Sequence, residues 1–169
     1  MFVVERSKGA SKPESYARVH AQLAALFEGE RDGLANCANM SALLNETLPD
    51  LNWVGFYFLR GEELVLGPFQ GKVACVRIAL GRGVCGAAAR ERRAIIVPDV
   101  HAFPGHIACD AASRSELVLP LLQGEHLLGV LDLDSPLPGR FDQSDADGLS
   151  KAVELLLAGS DLTQALQYR

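Results

Sequence analysis

Residues 115–134 read Ser115-Glu116-Leu117-Val118-Leu119-Pro120-Leu121-Leu122-Gln123-Gly124-Glu125-His126-Leu127-Leu128-Gly129-Val130-Leu131-Asp132-Leu133-Asp134. Two apolar runs, Ser115 to Leu122 and His126 to Asp134, flank a turn at Gly124, which is the pattern of a β-hairpin. Side chains alternate faces along a strand. Leu117, Leu119 and Leu121 therefore share one face and Glu116 takes the other. In the second strand Leu131 and Leu133 oppose Asp132 and Asp134. The acids line up on one side of the hairpin only if the turn holds an odd number of residues, such as Gln123-Gly124-Glu125, or if a bulge intervenes. The three-residue turn predicts Leu117 beside Leu131 and Glu116 beside Asp132, with the leucines all on the core face.

Working outward, Trp53–Leu59, Glu63–Phe69 and Val73–Leu80 are further short apolar runs separated by glycine-containing turns. Gly81–Arg92 predicts a short helix, Ala94–Val97 a buried strand and Asp99–Arg114 a loop. In the first run Val54, Phe56 and Phe58 form an apolar face, while Trp53 and Tyr57 flank Gly55 on the other. Helices bracket this region. Ser11-Lys12-Pro13-Glu14 is a capping box with proline in the first turn, followed by a stripe of Tyr16, Val19, Leu23, Leu26 and Phe27. A second helix starts near Asp32, carries Leu34, Cys37, Leu44 and Leu48, and stops before Pro49. The last begins at Asp142, with Asp145 at its third position, and carries Leu149, Ala152, Val153, Leu156 and Leu157. Two helices, a run of strands and a closing helix predict an α+β, mostly antiparallel sheet with helices on one side. The other side is lined by Trp53, Tyr57, Glu116, Asp132 and Asp134, a pocket suited to a small ligand bearing a cation.

Composition narrows the classes. The chain has 169 residues, 49% hydrophobic and 22% charged, which is a globular balance and the length of one domain. Sixteen Lys and Arg against 21 Asp and Glu give a net charge of −5, and no basic tract interleaves with aromatics, so nucleic acid is not an expected partner. No apolar run approaches the ~18 residues of a membrane span, and the N-terminal residues do not read as a secretory signal. A cytoplasmic location is expected, where structural disulfides are unusual. Cys37 lies on a helical stripe and reads as core. Cys75, Cys85 and Cys109 fall in the strand-and-loop region beside the polar pocket, which points to thiol redox work.

Other motifs carry less. Gly81-Arg82-Gly83-Val84-Cys85-Gly86 matches the dinucleotide fingerprint G-x-G-x-x-G, but its neighbours read as hairpins, and glycines needed for tight turning are the simpler account. His101, His106 and Cys109 lie close in sequence without paired metal-ligand spacing, so no metal site is assigned. His20 and His126 read as solvated or capping residues. Asp132 interrupts an apolar strand. A buried carboxylate needs a positive partner, either an Arg of the chain or a ligand's ammonium.

Six blocks occur in order: Asn52-Trp53-Val54-Gly55-Phe56-Tyr57, Gly67-Pro68-Phe69-Gln70-Gly71, Gly83-Val84-Cys85-Gly86, Phe103-Pro104-Gly105-His106-Ile107-Ala108-Cys109-Asp110, Ser113-Arg114-Ser115-Glu116 and Gly129-Val130-Leu131-Asp132-Leu133-Asp134-Ser135. They resemble the signature blocks of the free methionine-(R)-sulfoxide reductases, built on a GAF domain, across about residues 14–157. The resemblance implies one GAF domain over 1–169, a PAS-related fold: helices about 12–48, sheet and site loops about 52–135, closing helix about 142–166. It implies a six-stranded antiparallel sheet with helices packed on one face and a pocket on the other. It makes Cys109 the attacking thiol, Cys75 the resolving thiol and Cys85 a second candidate partner. Which of Cys109 and Cys85 attacks first stays open, since members of the family differ in the leading thiol. Glu116, Asp132 and Asp134 would bind and polarise the substrate, with Trp53 and Tyr57 walling its methyl group.

The chemistry this implies needs no cofactor. A thiolate adds to the sulfoxide sulfur while a carboxylic acid protonates the departing oxygen. Methionine leaves, and the resulting sulfenic acid condenses with a second thiol to a disulfide, which a dithiol such as thioredoxin reduces. Asp99–Arg114 would open to admit substrate. Free methionine sulfoxide and thioredoxin are the implied partners, and a homodimer is open. The alternative reading is a non-catalytic GAF sensor of a small ligand or of redox state.

Overall fold

The computed structural model describes residues 2–5, 9–105 and 110–163. Its elements, in chain order, are α1 (Lys12–Phe27), α2 (Gly33–Thr47), β1 (Trp53–Arg60), β2 (Glu63–Gly71), β3 (Arg77–Ala79), α3 (Gly83–Glu91), β4 (Ile95–Val97), β5 (Ser115–Gln123), β6 (His126–Ser135) and α4 (Gln143–Gly159), with a 3-10 turn at Val100–Ala102. The strands form one sheet in the order β3-β2-β1-β6-β5-β4, and each neighbouring pair is antiparallel.

The helix starts follow their caps. Ser11 and Glu14 close a reciprocal capping box on α1, Asp32 accepts from the backbone of Leu34 and Ala35, and Asp142 with Asp145 closes a second box on α4. Helices α1, α2 and α4 cover one sheet face. There Val54, Phe56, Phe58, Leu117, Leu119, Leu121, Leu131 and Leu133 pack with Leu23, Met40, Leu44, Leu149 and Leu156. Cys37 is fully buried in this layer, as expected of a small hydrophobe. Leu34 departs from its expected place on the buried stripe. It is 45% exposed, and Met40 and Leu43 face the core instead.

α1 and α4 are also joined by charge. Asp145 has no exposure and accepts from Tyr16 Oη at 2.9 Å, from Arg140 Nη1 at 3.0 Å and from Lys12 Nζ. Gly148 packs directly on Tyr16, and a Cβ there would sit 2.3 Å from the ring.

The second apolar cluster lies on the opposite face. Helix α3 packs there, with Val84, Cys85, Ala87 and Ala88 against Trp53, Tyr57, Val118 and Val130. The expectation of helices on one face thus holds for three of the four. α3 instead crosses the pocket face between β3 and β4, the two sheet edges. The strand expected over Val73–Leu80 is shorter, and only Arg77–Ala79 pairs with β2. The antiparallel sheet also excludes the dinucleotide reading, which needs parallel βαβ units. Gly81 and Gly83 have φ of +82° and +60°. Gly86 approaches Ala79 so closely that a Cβ would lie 2.5 Å from its carbonyl oxygen. These glycines turn the chain sharply into α3.

Candidate active site

The hairpin sets the site. Its register places Glu116 opposite Asp134, Leu117 opposite Leu133 and Val118 opposite Asp132. The faces are those expected, but the partners are displaced by two residues along β6. The turn is two residues, Gly124-Glu125, and a shift between Leu121 and Leu122 restores the parity that keeps all three acids on one face. Of the two devices the sequence allowed, the bulge is the one used. On the other side of β6, Trp53 faces Asp134 and Gly55 faces Asp132. Gly55 leaves the floor open for the rings above it. A Cβ there would stand 2.3 Å from Phe69 Cβ and 2.8 Å from Trp53.

The resulting pocket is lined by Trp53, Tyr57, Cys85, Glu116, Asp132 and Asp134, together with Ala74, Arg82, Gly83, Asp110 and Ser113. Trp53 stacks between Tyr57, at 5.9 Å between centroids, and Phe69, at 5.3 Å. Trp53 Nε1 donates to the Lys72 carbonyl at 3.1 Å, and Tyr57 Oη donates to the Cys75 carbonyl at 3.0 Å. These ring tips hold segment 72–76 over the wall, and Cys75 rides on that segment, half-buried.

Glu116 and Asp132 are 5% and 6% exposed. Burial, then the charges of Asp132 and Asp134, pushes Glu116 well above the usual carboxyl range. Burial also raises Asp132 to about 7, opposed by hydrogen bonds to Cys85 and Glu116. Asp134 is raised well above its ordinary value by burial and by Asp132, against a hydrogen bond to Ser113. The Cys85 thiol lies 3.9 Å from Glu116 Oε1 and is pushed well up by burial and by the charges of Asp132 and Glu116. Asp132 Oδ1 is buried and has no hydrogen-bond partner among the described residues. A buried oxygen left so is costly unless a ligand meets it.

Of the expected site residues, Trp53, Tyr57, Cys85, Glu116, Asp132 and Asp134 come together around one cavity. Cys109 and His106 lie outside the described residues. His101 sits exposed on the 3-10 turn. Sequence reasoning gave no role to Asn52, Lys72, Asp110 or Ser113. Asn52 Nδ2 donates to Asp110 Oδ2 at 3.2 Å and to Ser113 Oγ at 3.0 Å, and Lys72 Nζ reaches Asp110 Oδ1 at 3.2 Å. The Asp110-Ala111-Ala112 turn, closed by Ala112 N donating to Asp110 Oδ1 at 2.9 Å, was the one readable signal of this anchor. Arg82 was also missed. It precedes α3, whose first turn has no side-chain cap.

This curled antiparallel sheet with a pocket beneath a crossing helix is the architecture of a GAF domain, and the family model described as "GAF domain" matches residues 40–156. The chain is 53% identical over 154 residues to the free methionine-R-sulfoxide reductase of Escherichia coli, covering 89% of this chain and 93% of that one. Free methionine-R-sulfoxide reductase from Neisseria meningitidis, solved in complex with its substrate, superposes with a TM-score of 0.90 at 42% identity, over 94% of this chain and 95% of that one. A structure described as a putative GAF sensor protein from Burkholderia vietnamiensis gives a TM-score of 0.87 at 55% identity, over 89% and 96% of the two chains. The chain belongs to the free methionine-R-sulfoxide reductase family of GAF-domain proteins.

Proposed function

We propose that this chain reduces the (R)-sulfoxide of free methionine to methionine, using its own thiols and an external dithiol. The observation that carries the reading is the polar wall of the pocket, where buried Glu116 and Asp132 and half-buried Asp134 share the lining with Trp53 and Tyr57, and Asp132 Oδ1 has no partner among the described residues. An amino acid's ammonium group satisfies that oxygen. Its carboxylate has a complementary partner in Arg82, which stands beside the uncapped N–H groups of α3. The thioether methyl packs on the rings.

Glu116 supplies the proton. Held neutral by burial and by its acidic neighbours, it can donate to the sulfoxide oxygen as sulfur is attacked. Cys85 is a poor first nucleophile, because the same surroundings hold it as the thiol. We assign the attack to Cys109, which takes the oxygen as a sulfenic acid and releases methionine. Condensation with Cys75 expels water and forms a disulfide, with Cys85 the second candidate partner. Thioredoxin or another dithiol returns both thiols to the reduced state. This cycle uses no bound cofactor and belongs in a reducing compartment such as the cytoplasm. No helix among the described residues is long and apolar enough to cross a membrane.

The test compares free methionine (R)-sulfoxide with the same sulfoxide acetylated at its nitrogen. Blocking the amine removes the cation that Asp132 receives, and kcat/KM is expected to fall by about 30-fold or more. Equal turnover of the two would remove the argument from the acidic wall.

A further inference from the structure

The groups on the polar wall of the pocket also form a metal donor set. Cys85 Sγ, one oxygen of Glu116 and one of Asp132 all lie within 4.8 Å of one another, and no other such grouping of three occurs among the described residues. Each comes from a different element, α3, β5 and β6, so the fold fixes their approach. A second observation points to a ligand here. Asp132 is 6% exposed and lines the cavity, yet its Oδ1 has no hydrogen-bond partner. Zinc takes sulfur at ~2.3 Å and carboxylate oxygen at ~2.0–2.2 Å in a tetrahedron, which sets donors roughly 3.3–3.6 Å apart. The Cys85 Sγ to Glu116 Oε1 separation is 3.9 Å, so small side-chain rotations close the set. All three residues line the cavity, which leaves a fourth position to a molecule entering it. One sulfur with two oxygens suits zinc or cadmium and disfavours magnesium and calcium, which demand six or more oxygens.

We propose that the pocket binds a thiophilic divalent cation, zinc or its analogue cadmium, through Cys85, Glu116 and Asp132. Coordination expels the thiol proton and any carboxyl protons to solvent and changes no oxidation state. The metal occupies the groups assigned above to the substrate's ammonium and sulfoxide oxygen, so metal and amino acid exclude one another. That exclusion rests on the proposed function, whereas the metal site does not.

The probe is cadmium chloride titrated into the full chain carrying Cys75→Ser and Cys109→Ser, which leaves Cys85 in the pocket and Cys37 in the far core. The sulfur-to-cadmium charge-transfer band is expected to grow to one metal per chain. Adding Cys85→Ser abolishes it, and Asp132→Asn in its place weakens the affinity at least about tenfold. A band that survives loss of Cys85, or none in the starting variant while its thermal melt matches wild type, overturns the site. Excess free methionine is expected to lower the apparent cadmium affinity. Cadmium binding that depends on Cys85 and Asp132 but ignores methionine supports the metal site and counts against the amino-acid reading of the pocket.

Discussion

At the scale of single residues, two neighbouring acids are set apart by their surroundings. Burial and the charges of Asp132 and Asp134 push Glu116 well above the usual carboxyl range, and burial raises Asp132 to about 7 while its Oδ1 has no hydrogen-bond partner among the described residues. In the proposed reaction the first gives a proton and the second holds a cation. Their conservative variants therefore fail differently. Glu116→Gln keeps the shape but has no acidic proton, so kcat is expected to fall by about 100-fold or more with KM little changed. Asp132→Asn removes the anion, and KM is expected to rise by about 30-fold, roughly 2 kcal/mol. Steady-state kinetics on the two variants separates the roles. A matching loss of kcat in both, at constant KM, would dissolve the distinction.

At the scale of elements, α1 and α4 are held together by a buried ion cluster as well as by apolar packing. Asp145 receives Tyr16, Arg140 and Lys12 while also closing the α4 capping box. Asp145→Ala leaves Arg140, whose side chain is 9% exposed, without its counter-charge. A loss of about 3 kcal/mol is expected in urea unfolding. Turnover per folded molecule should hold, because the cluster lies behind the sheet. Much of this layer could be read directly, since capping boxes and helical stripes are local signals with local causes. The face assignment in the β5–β6 hairpin was legible for the same reason, because alternation follows the pleat. The pairing was not, because a bulge costs one residue of register and leaves no mark on the apolar pattern. The shortening of β3 was hidden too. Residues 73–76 are apolar enough for a strand, yet Trp53 and Tyr57 take carbonyls from segment 72–76, and Val73 and Val76 stay exposed. The turn at Asp110 was readable, but its bond with Asn52 was not, because it joins segments 58 residues apart.

At the scale of the whole molecule, the site opposes the stability of the fold. Glu116, Asp132 and Asp134 are all raised above their ordinary carboxyl values. As pH rises from about 4, the unfolded chain releases these protons while the native state keeps them. The native state then binds more protons, and stability falls with rising pH, for Asp132 through about 7. The cost is on the order of a few kcal/mol. Acids in caps and turns act in the other sense. Asp142, Asp110 and Glu14 are lowered by hydrogen bonds, so their contribution is lost as pH drops below about 4. Urea midpoints are expected to peak near pH 5 and decline toward pH 8, with Asp132→Asn flattening the decline. A midpoint that climbs steadily from pH 5 to 8 would mean that the acids are not buried as described.

The central claim is that a thiol of the chain takes the oxygen from a free sulfoxide, and one single-turnover experiment reaches it. Reduced protein is mixed with methionine (R)-sulfoxide without any reductant, and methionine and remaining thiols are counted together. The account predicts one methionine formed and two thiols lost per wild-type chain. With Cys75→Ser it predicts one methionine and a sulfenic acid or a Cys85 disulfide, and with Cys109→Ser no methionine at all. Methionine formed at the wild-type rate by Cys109→Ser, or a wild-type chain that leaves the sulfoxide intact, would contradict it.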